Sequence, residues 1–168
     1  RAFEMSKYQG NDSLKNIYFS KVAYSYFKIN DSLGFRKANE QSMKFSMKMR
    51  DSMRIANNYW DLGRFFSKNN VKDSAYYSYS KSQKLFESLG KKNYEGAMLL
   101  NMAIIQTDLR DYTGSEVTTI RALELFKSLD KYAQLYKCYN NLGIIFNELQ
   151  EYDKALFYHS KALEFLGK

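Results

Sequence analysis

The chain has 168 residues, with 26 Lys and Arg against 18 Asp and Glu, which gives a formal net charge of +8 at pH 7. Hydrophobic residues make up 45% of it, too many for a disordered protein, and no apolar run approaches the roughly 20 residues of a membrane span. One cysteine and one histidine cannot form an intrachain disulfide or supply a zinc site. With no proline and eight glycines, the composition predicts an all-α fold with long helices.

Polar breaks divide the chain into segments of similar length whose apolar residues have helical spacing. This pattern predicts eight helices, preceded by the tail of a ninth at residues 1–9. Carboxylates at the segment starts are expected to cap the helices. In chain order these are Asp31, Asp51, Asp111, Asp130 and Glu151.

The pattern of segments recurs each time the residue number advances by 40. One set of equivalent positions holds small residues that let paired helix axes approach closely, namely Ala23, Gly63, Ala103 and Gly143. We therefore expect a single domain of stacked helical hairpins that forms a right-handed superhelical solenoid. Its predicted units are the tail of a preceding repeat at 1–15 and repeats at 16–55, 56–95, 96–135 and 136–168.

Two stretches of sequence resemble the tetratricopeptide repeat. The better one runs from Tyr139 to Phe146 and continues through Ala155 and Ala162; the other combines Tyr59 to Gly63 with Phe66 and Ala75. The other two copies are degenerate, since Phe35 and Ser115 replace an expected alanine and Gln106 an expected aromatic residue. The usual unit has about 34 residues, so the chain is more similar to long-repeat variants in bacterial sensory and transcription-regulatory proteins.

The resemblance implies a concave face, lined by the first helix of each repeat, that holds a protein or peptide ligand. Trp60 and Arg64 lie four residues apart, so the guanidinium can lie over the indole or bind a ligand carboxylate. The alternative is that the aromatic residues only pack between repeats. The candidate groove residues are Tyr24, Phe27, Asn57, Trp60, Arg64, Lys68, Leu100, Asn101, Ile104, Lys137, Asn140, Asn141 and Ile144.

The excess of positive over negative charge lies in the first half of the chain. Residues 1–84 contain 16 basic and 7 acidic residues, whereas residues 85–168 contain 10 and 11. This asymmetry points to an acidic partner on the N-terminal half, to nucleic acid, or to a solvated face. Because many of the lysines fall on the outward second helices without a recognition motif, the solvated face is favoured and nucleic acid is not expected.

Catalytic signals are weak. Cys138 and His159 occur in one repeat, but both occupy positions that pack between helices, and the methionines at 43, 47, 49 and 53 are expected to fill the core. The sequence therefore predicts a protein that is not an enzyme, has no cofactor or metal, and binds a protein or peptide.

We interpret the chain as a fragment, the sensory or interaction region of a larger bacterial signalling or transcription-regulatory protein. The alternative is a peptide-regulated quorum-sensing regulator similar to response-regulator phosphatases. The composition is compatible with cytoplasm or periplasm.

Overall fold

A computed structural model describes residues 11–166, which form eight helices and no strand. The predicted tail at residues 1–9 lies outside them. The first, third, fifth and seventh helices each begin a hairpin that the next helix completes. In order they are α1 (Asp12–Lys28), α2 (Ser32–Lys48), α3 (Ser52–Lys68), α4 (Lys72–Ser88), α5 (Lys92–Asp108), α6 (Tyr112–Lys127), α7 (Tyr132–Glu148) and α8 (Tyr152–Leu163).

The predicted all-α solenoid is confirmed. Each helix packs most extensively on its hairpin partner, and successive hairpins contact through α2 and α3, α4 and α5, and α6 and α7. The first helices α5 and α7 also touch each other directly. None of the described helices is long and apolar enough to cross a membrane.

One turn geometry joins all eight helices. A residue with positive φ recurs at every twentieth position, at Asn30, Arg50, Asn70, Gly90, Arg110, Asp130 and Gln150. The next amide N–H donates to a carbonyl oxygen five residues earlier, as from Asp31 to Tyr26, which closes the helix end in a Schellman arrangement. Only one of the seven positions is glycine, although a side chain disfavours this conformation.

Three of the predicted caps are confirmed. The carboxylates of Asp31, Asp51 and Asp111 accept the backbone N–H of the third residue beyond them. The prediction is wrong for Asp130, which holds the positive φ of its turn, so that Lys131 precedes the helix. Glu151 occupies the cap position but its carboxylate pairs with the Lys154 ammonium at 2.5 Å, because the longer side chain reaches outward.

Close approach of the helices depends on the small residues. A Cβ at position 63 would lie 2.5 Å from Cδ1 of Tyr79, and one at position 143 would lie 2.5 Å from Cε1 of His159. The rings of α4 and α8 therefore occupy the space left by the two glycines. Around these contacts, the core is built mainly from α3 to α7, with Phe86, Met98 and Phe126 fully buried.

Candidate peptide-binding groove

A cavity of about 530 Å³ opens on the side of the solenoid formed by the first helices. We call it the groove. It is lined by Trp60 and Arg64 of α3, Tyr79 of α4, Asn93, Tyr94, Ala97, Leu100, Asn101 and Ile104 of α5, Phe126 of α6, and Gln134 and Lys137 of α7. Six of the thirteen candidate residues thus line one cavity: Trp60, Arg64, Leu100, Asn101, Ile104 and Lys137.

One set of equivalent positions stays exposed along the first helices. Tyr24 is 49%, Ile104 43% and Ile144 39% exposed, and the Arg64 side chain is 39% exposed. Because these residues are 40 apart, they place one accessible side chain per repeat on the same face. A ligand lying along this face of the first helices would meet an aromatic, a cationic and two aliphatic groups in turn.

Trp60 both packs between repeats and lines the groove. Its ring makes edge contacts with Phe86 at 6.4 Å and with Tyr94 at 6.0 Å between centroids. These contacts hold the indole in one orientation, half-buried against the core of α3 to α5. A fixed aromatic side chain of this kind loses little conformational freedom when a ligand packs against it.

Arg64 lies over the ring of Phe27, 5.0 Å from its centroid, rather than over the indole. Asp61, one turn earlier on α3, draws the guanidinium to an Nη1–Oδ1 distance of 3.6 Å. Arg64 therefore bridges the first two hairpins while part of its guanidinium remains accessible to the groove.

Burial raises the pKa of Asp61 from its ordinary value of 3.8 to about 6, and the nearby Arg64 partly opposes the increase. Its ionised form is therefore disfavoured in the folded state, and the free energy of unfolding falls as pH rises from about 4 through 6. We expect Asp61→Asn to increase the unfolding free energy by about 1 kcal/mol at pH 7.5, after allowance for solvent screening, and to leave it unchanged at pH 4.

Urea unfolding of both proteins at the two pH values measures this difference. Asp153→Asn, at an exposed position of α8, is the matched control and should change neither value. An equal effect of Asp61→Asn at pH 4 and pH 7.5 would contradict the assignment.

Two candidate residues of α3, Arg64 and Lys68, both contact the candidate Phe27 of α1. The Lys68 ammonium donates to Oδ1 of Asn30 and lies 4.8 Å from the centroid of the Phe27 ring. Phe27 is thus covered by Arg64 and Lys68, and only Tyr24 of the aromatic pair predicted on α1 is freely exposed. Phe27 acts mainly as the platform on which the two cations are held.

Asn141 is placed between helices, not in the groove. It is 5% exposed, and its amide donates to Oγ1 of Thr119 at 2.9 Å and to Oγ of Ser115 at 3.3 Å. The short hydroxyl side chains of α6 leave room for the amide to turn inward. Asn57 and Asn140 remain half-buried on α3 and α7, and Ile144 is exposed, but these three do not line the cavity around Trp60.

The sequence analysis missed Asn93, Tyr94 and Gln134, which line the groove near the start of α5 and α7. Tyr94 and Gln134 occupy equivalent positions in successive repeats, and the same position holds Arg54 one repeat earlier. Oδ1 of Asn93 is buried and has no hydrogen-bond partner among the described residues. A ligand N–H could satisfy this oxygen.

Cys138 is fully buried in the core of α5 to α7, and burial raises its pKa to about 12. Its thiol therefore remains protonated and inaccessible at neutral pH. His159 packs against Gly143. Both residues have the packing positions that the sequence predicted.

Residues 94–168 match the family model described as tetratricopeptide repeat. Solved structures of other proteins share the fold. Aspartyl phosphate phosphatase F from Bacillus subtilis superposes with a TM-score of 0.83 at 19% identity over 90% of this chain, and the apo form of RapI with 0.89 at 18% over 98%. BtubC (BKLC) from P. vanneervenii gives 0.65 at 18% over 94%.

The chain spans 40% of the phosphatase F structure, 46% of RapI and 74% of BtubC. No curated protein sequence matches it. At these identities the structural similarity establishes the fold alone.

Proposed function

We propose that this chain, which is built of tetratricopeptide repeats, is a scaffold that binds a protein or peptide segment in its groove. The observation that carries the proposal is the cavity that α3 to α7 open together. Trp60 and Ile104 offer a ligand apolar surface, while Asn101 and the Asn93 oxygen offer it hydrogen bonds. A peptide presents the same mixture of apolar side chains and backbone amides.

The charges of the groove favour a ligand with a carboxylate. Arg64 and Lys137 are the charged residues in the lining, and both are positive. An acidic side chain or a terminal carboxylate would reach Lys137 directly and would join or replace Asp61 at the Arg64 guanidinium. We therefore propose that the acidic partner expected on the N-terminal half binds in the groove, to which that half contributes Arg64.

Peptides selected from a random display library against the whole chain test the proposal. We expect Trp60→Ala combined with Arg64→Ala to weaken binding of a selected acidic peptide at least 100-fold, because both an anchor and a cation are lost. Fluorescence anisotropy with the labelled peptide measures the dissociation constant.

The matched control is Phe157→Ala combined with Arg121→Ala, which removes an exposed aromatic residue and an exposed arginine from the second helices. It should bind as wild type does. Equal affinity of the groove variant and wild type would refute the assignment, and circular dichroism verifies that each variant retains its helices.

The wider role we propose is the sensory or interaction region of a larger bacterial regulatory protein. Similarity to aspartyl phosphate phosphatase F and RapI also supports the alternative of a peptide-regulated regulator related to response-regulator phosphatases. An assay of a phosphorylated receiver domain with the intact protein separates the two, since only the alternative requires faster loss of phosphate.

A further inference from the structure

A second cavity, of about 580 Å³, lies between the second helices α2 and α4. Its floor is the face of α3 that carries Tyr59, Leu62 and Phe66. At 3.6 residues per turn, these three lie roughly opposite Trp60 and Arg64. The second cavity is therefore separated from the groove by the thickness of α3.

A neighbouring cavity of about 410 Å³ continues this site towards α5. Asp73 and Tyr77 line both cavities, so the two spaces meet at one turn of α4. The cavity of about 410 Å³ is also lined by Tyr76, Gln106 and Asp111. We call the two cavities together the outer cleft.

Each half of the outer cleft contains a buried amide oxygen without a donor. Asn39 is 2% exposed and Gln106 9%, and neither Oδ1 of Asn39 nor Oε1 of Gln106 has a hydrogen-bond partner among the described residues. The orientation of Gln106 is fixed because its Nε2 donates to Oδ2 of Asp111 at 2.9 Å. Buried acceptors are normally paired, so two of them in one cleft indicate a missing donor.

The charged side chains of the outer cleft also favour a hydrogen-bond donor, and specifically a cationic one. Glu40 and Asp73 form no ion pair or hydrogen bond through their side chains within residues 11–166, and Asp111 adds a third carboxylate. Arg36 is the one basic residue that lines the outer cleft. This local excess of acid occurs mostly in the half of the chain that is otherwise strongly basic.

Aromatic rings complete the lining. Tyr59 and Phe66 form the floor, and Tyr77 stands 58% exposed between the two cavities. The ammonium of Lys81 already lies 5.3 Å from the centroid of the Tyr77 ring. Ring faces beside carboxylates attract cations and pack well against aliphatic stems.

We propose that the outer cleft binds an organic cation that donates N–H groups, an alkylammonium or a guanidinium. Its N–H groups donate to the oxygens of Asn39 and Gln106, its charge faces Glu40 and Asp73, and its stem packs on Tyr77. The same chemistry is carried by a free polyamine and by a Lys or Arg side chain of a partner protein.

Isothermal titration calorimetry of the whole chain at physiological salt tests this site. Spermidine represents the free amine, and the capped tripeptide acetyl-Lys-Gly-Arg-amide represents the protein side chains. We expect Glu40→Gln combined with Asp73→Asn to weaken the tighter of the two probes at least tenfold, because both neutral amides keep the size of the side chains but remove their charge.

The matched control is Glu124→Gln combined with Asp153→Asn, which neutralises two exposed carboxylates outside the cleft and should leave the dissociation constant unchanged. Trp60→Ala combined with Arg64→Ala should also leave it unchanged, so failure of the groove proposal would not affect this one. Which probe binds more tightly identifies the source of the cation.

A second variant tests the buried oxygen. Asn39→Leu removes the unpaired acceptor at similar size, so we expect weaker probe binding with no loss of thermal stability. The proposal is overturned if neither probe gives binding heat, as would occur if water alone occupied the cleft, or if the control pair weakens binding as much as the Glu40 and Asp73 pair.

Discussion

Asn16→Ala is expected to detach the N-terminal hairpin from the rest of the solenoid. The Asn16 side chain is buried, and its Nδ2 donates to the carbonyl oxygen of Ser42 and to Oγ of Ser46, each at 2.7 Å. Its Oδ1 accepts from Nη1 of Arg54 at 2.7 Å. Asn16 therefore joins α1, α2 and α3 in one polar network.

Two positions of this network are apolar in the next two repeats. Ser46 corresponds to the fully buried Phe86 and Phe126, and Asn58, whose amide also donates to Ser46, corresponds to Met98 and Cys138. Contacts between α2 and α3 are also fewer than those between the later hairpins. The first hairpin is thus held by these hydrogen bonds together with an apolar cluster in which Phe35 of α2 stacks on Phe65 of α3, 4.4 Å between ring centroids.

Truncating Asn16 leaves a guanidinium and two serine hydroxyls without their buried partner. We expect the unfolding free energy of the first hairpin to fall by about 3 kcal/mol. Hydrogen exchange should show faster exchange in α1 and α2 with unchanged protection in α5 to α7.

Asn147→Ala, at an exposed position of α7, is the control and should change neither region. The combination of Asn16→Ala with Arg54→Met should cost less than the two single changes together, because they remove the same interaction. Additive losses, or uniform acceleration across all helices, would show that Asn16 does not hold this interface.

Gly63→Ala is expected to lower the unfolding free energy by about 2 kcal/mol, although it adds a single methyl group to a helix and alanine favours helices. The new Cβ would lie 2.5 Å from the Tyr79 ring, which is itself 4% exposed and cannot move into solvent without losing its core contacts. The helices α3 and α4 would have to separate.

The repeat itself supplies the compensating change. The position equivalent to Gly63 is alanine in the third repeat, and the position equivalent to Tyr79 is Thr119. We therefore expect Tyr79→Thr to be less costly in the Gly63→Ala background than in wild type, by at least about 1 kcal/mol. Equilibrium urea unfolding of the four proteins gives this coupling energy, and a value near zero would mean that the ring does not restrain position 63.

The fold could be predicted from the sequence because a single repeat period determines both the helices and the turns. The expectation that Arg64, Ile104 and Lys137 line a groove came from the resemblance to tetratricopeptide repeats, whereas helical spacing alone placed Trp60 and Arg64 on one face. The groove residues Tyr94 and Gln134 were missed because one is aromatic and the other polar. Their equivalent positions in successive repeats therefore share no chemistry that would mark them.

Other features depend on neighbours that no spacing reveals. Arg64 lies on Phe27 because Asp61 draws it there, and Asn141 turns inward because α6 presents Ser115 and Thr119. The unpaired oxygens of Asn39 and Gln106 are also tertiary features, since both residues occupy ordinary polar positions in the helical pattern.

The uniform turns have a mechanical consequence. Six of the seven residues with positive φ carry a side chain, so helix packing, more than turn composition, imposes their conformation. Among the described helices the connections have three residues, except that α6 ends one residue earlier, so that residues 128–131 join it to α7. Because the same positive-φ turn recurs at all seven connections, we expect a groove that adjusts to a ligand to distribute the displacement over the hairpins as small rotations.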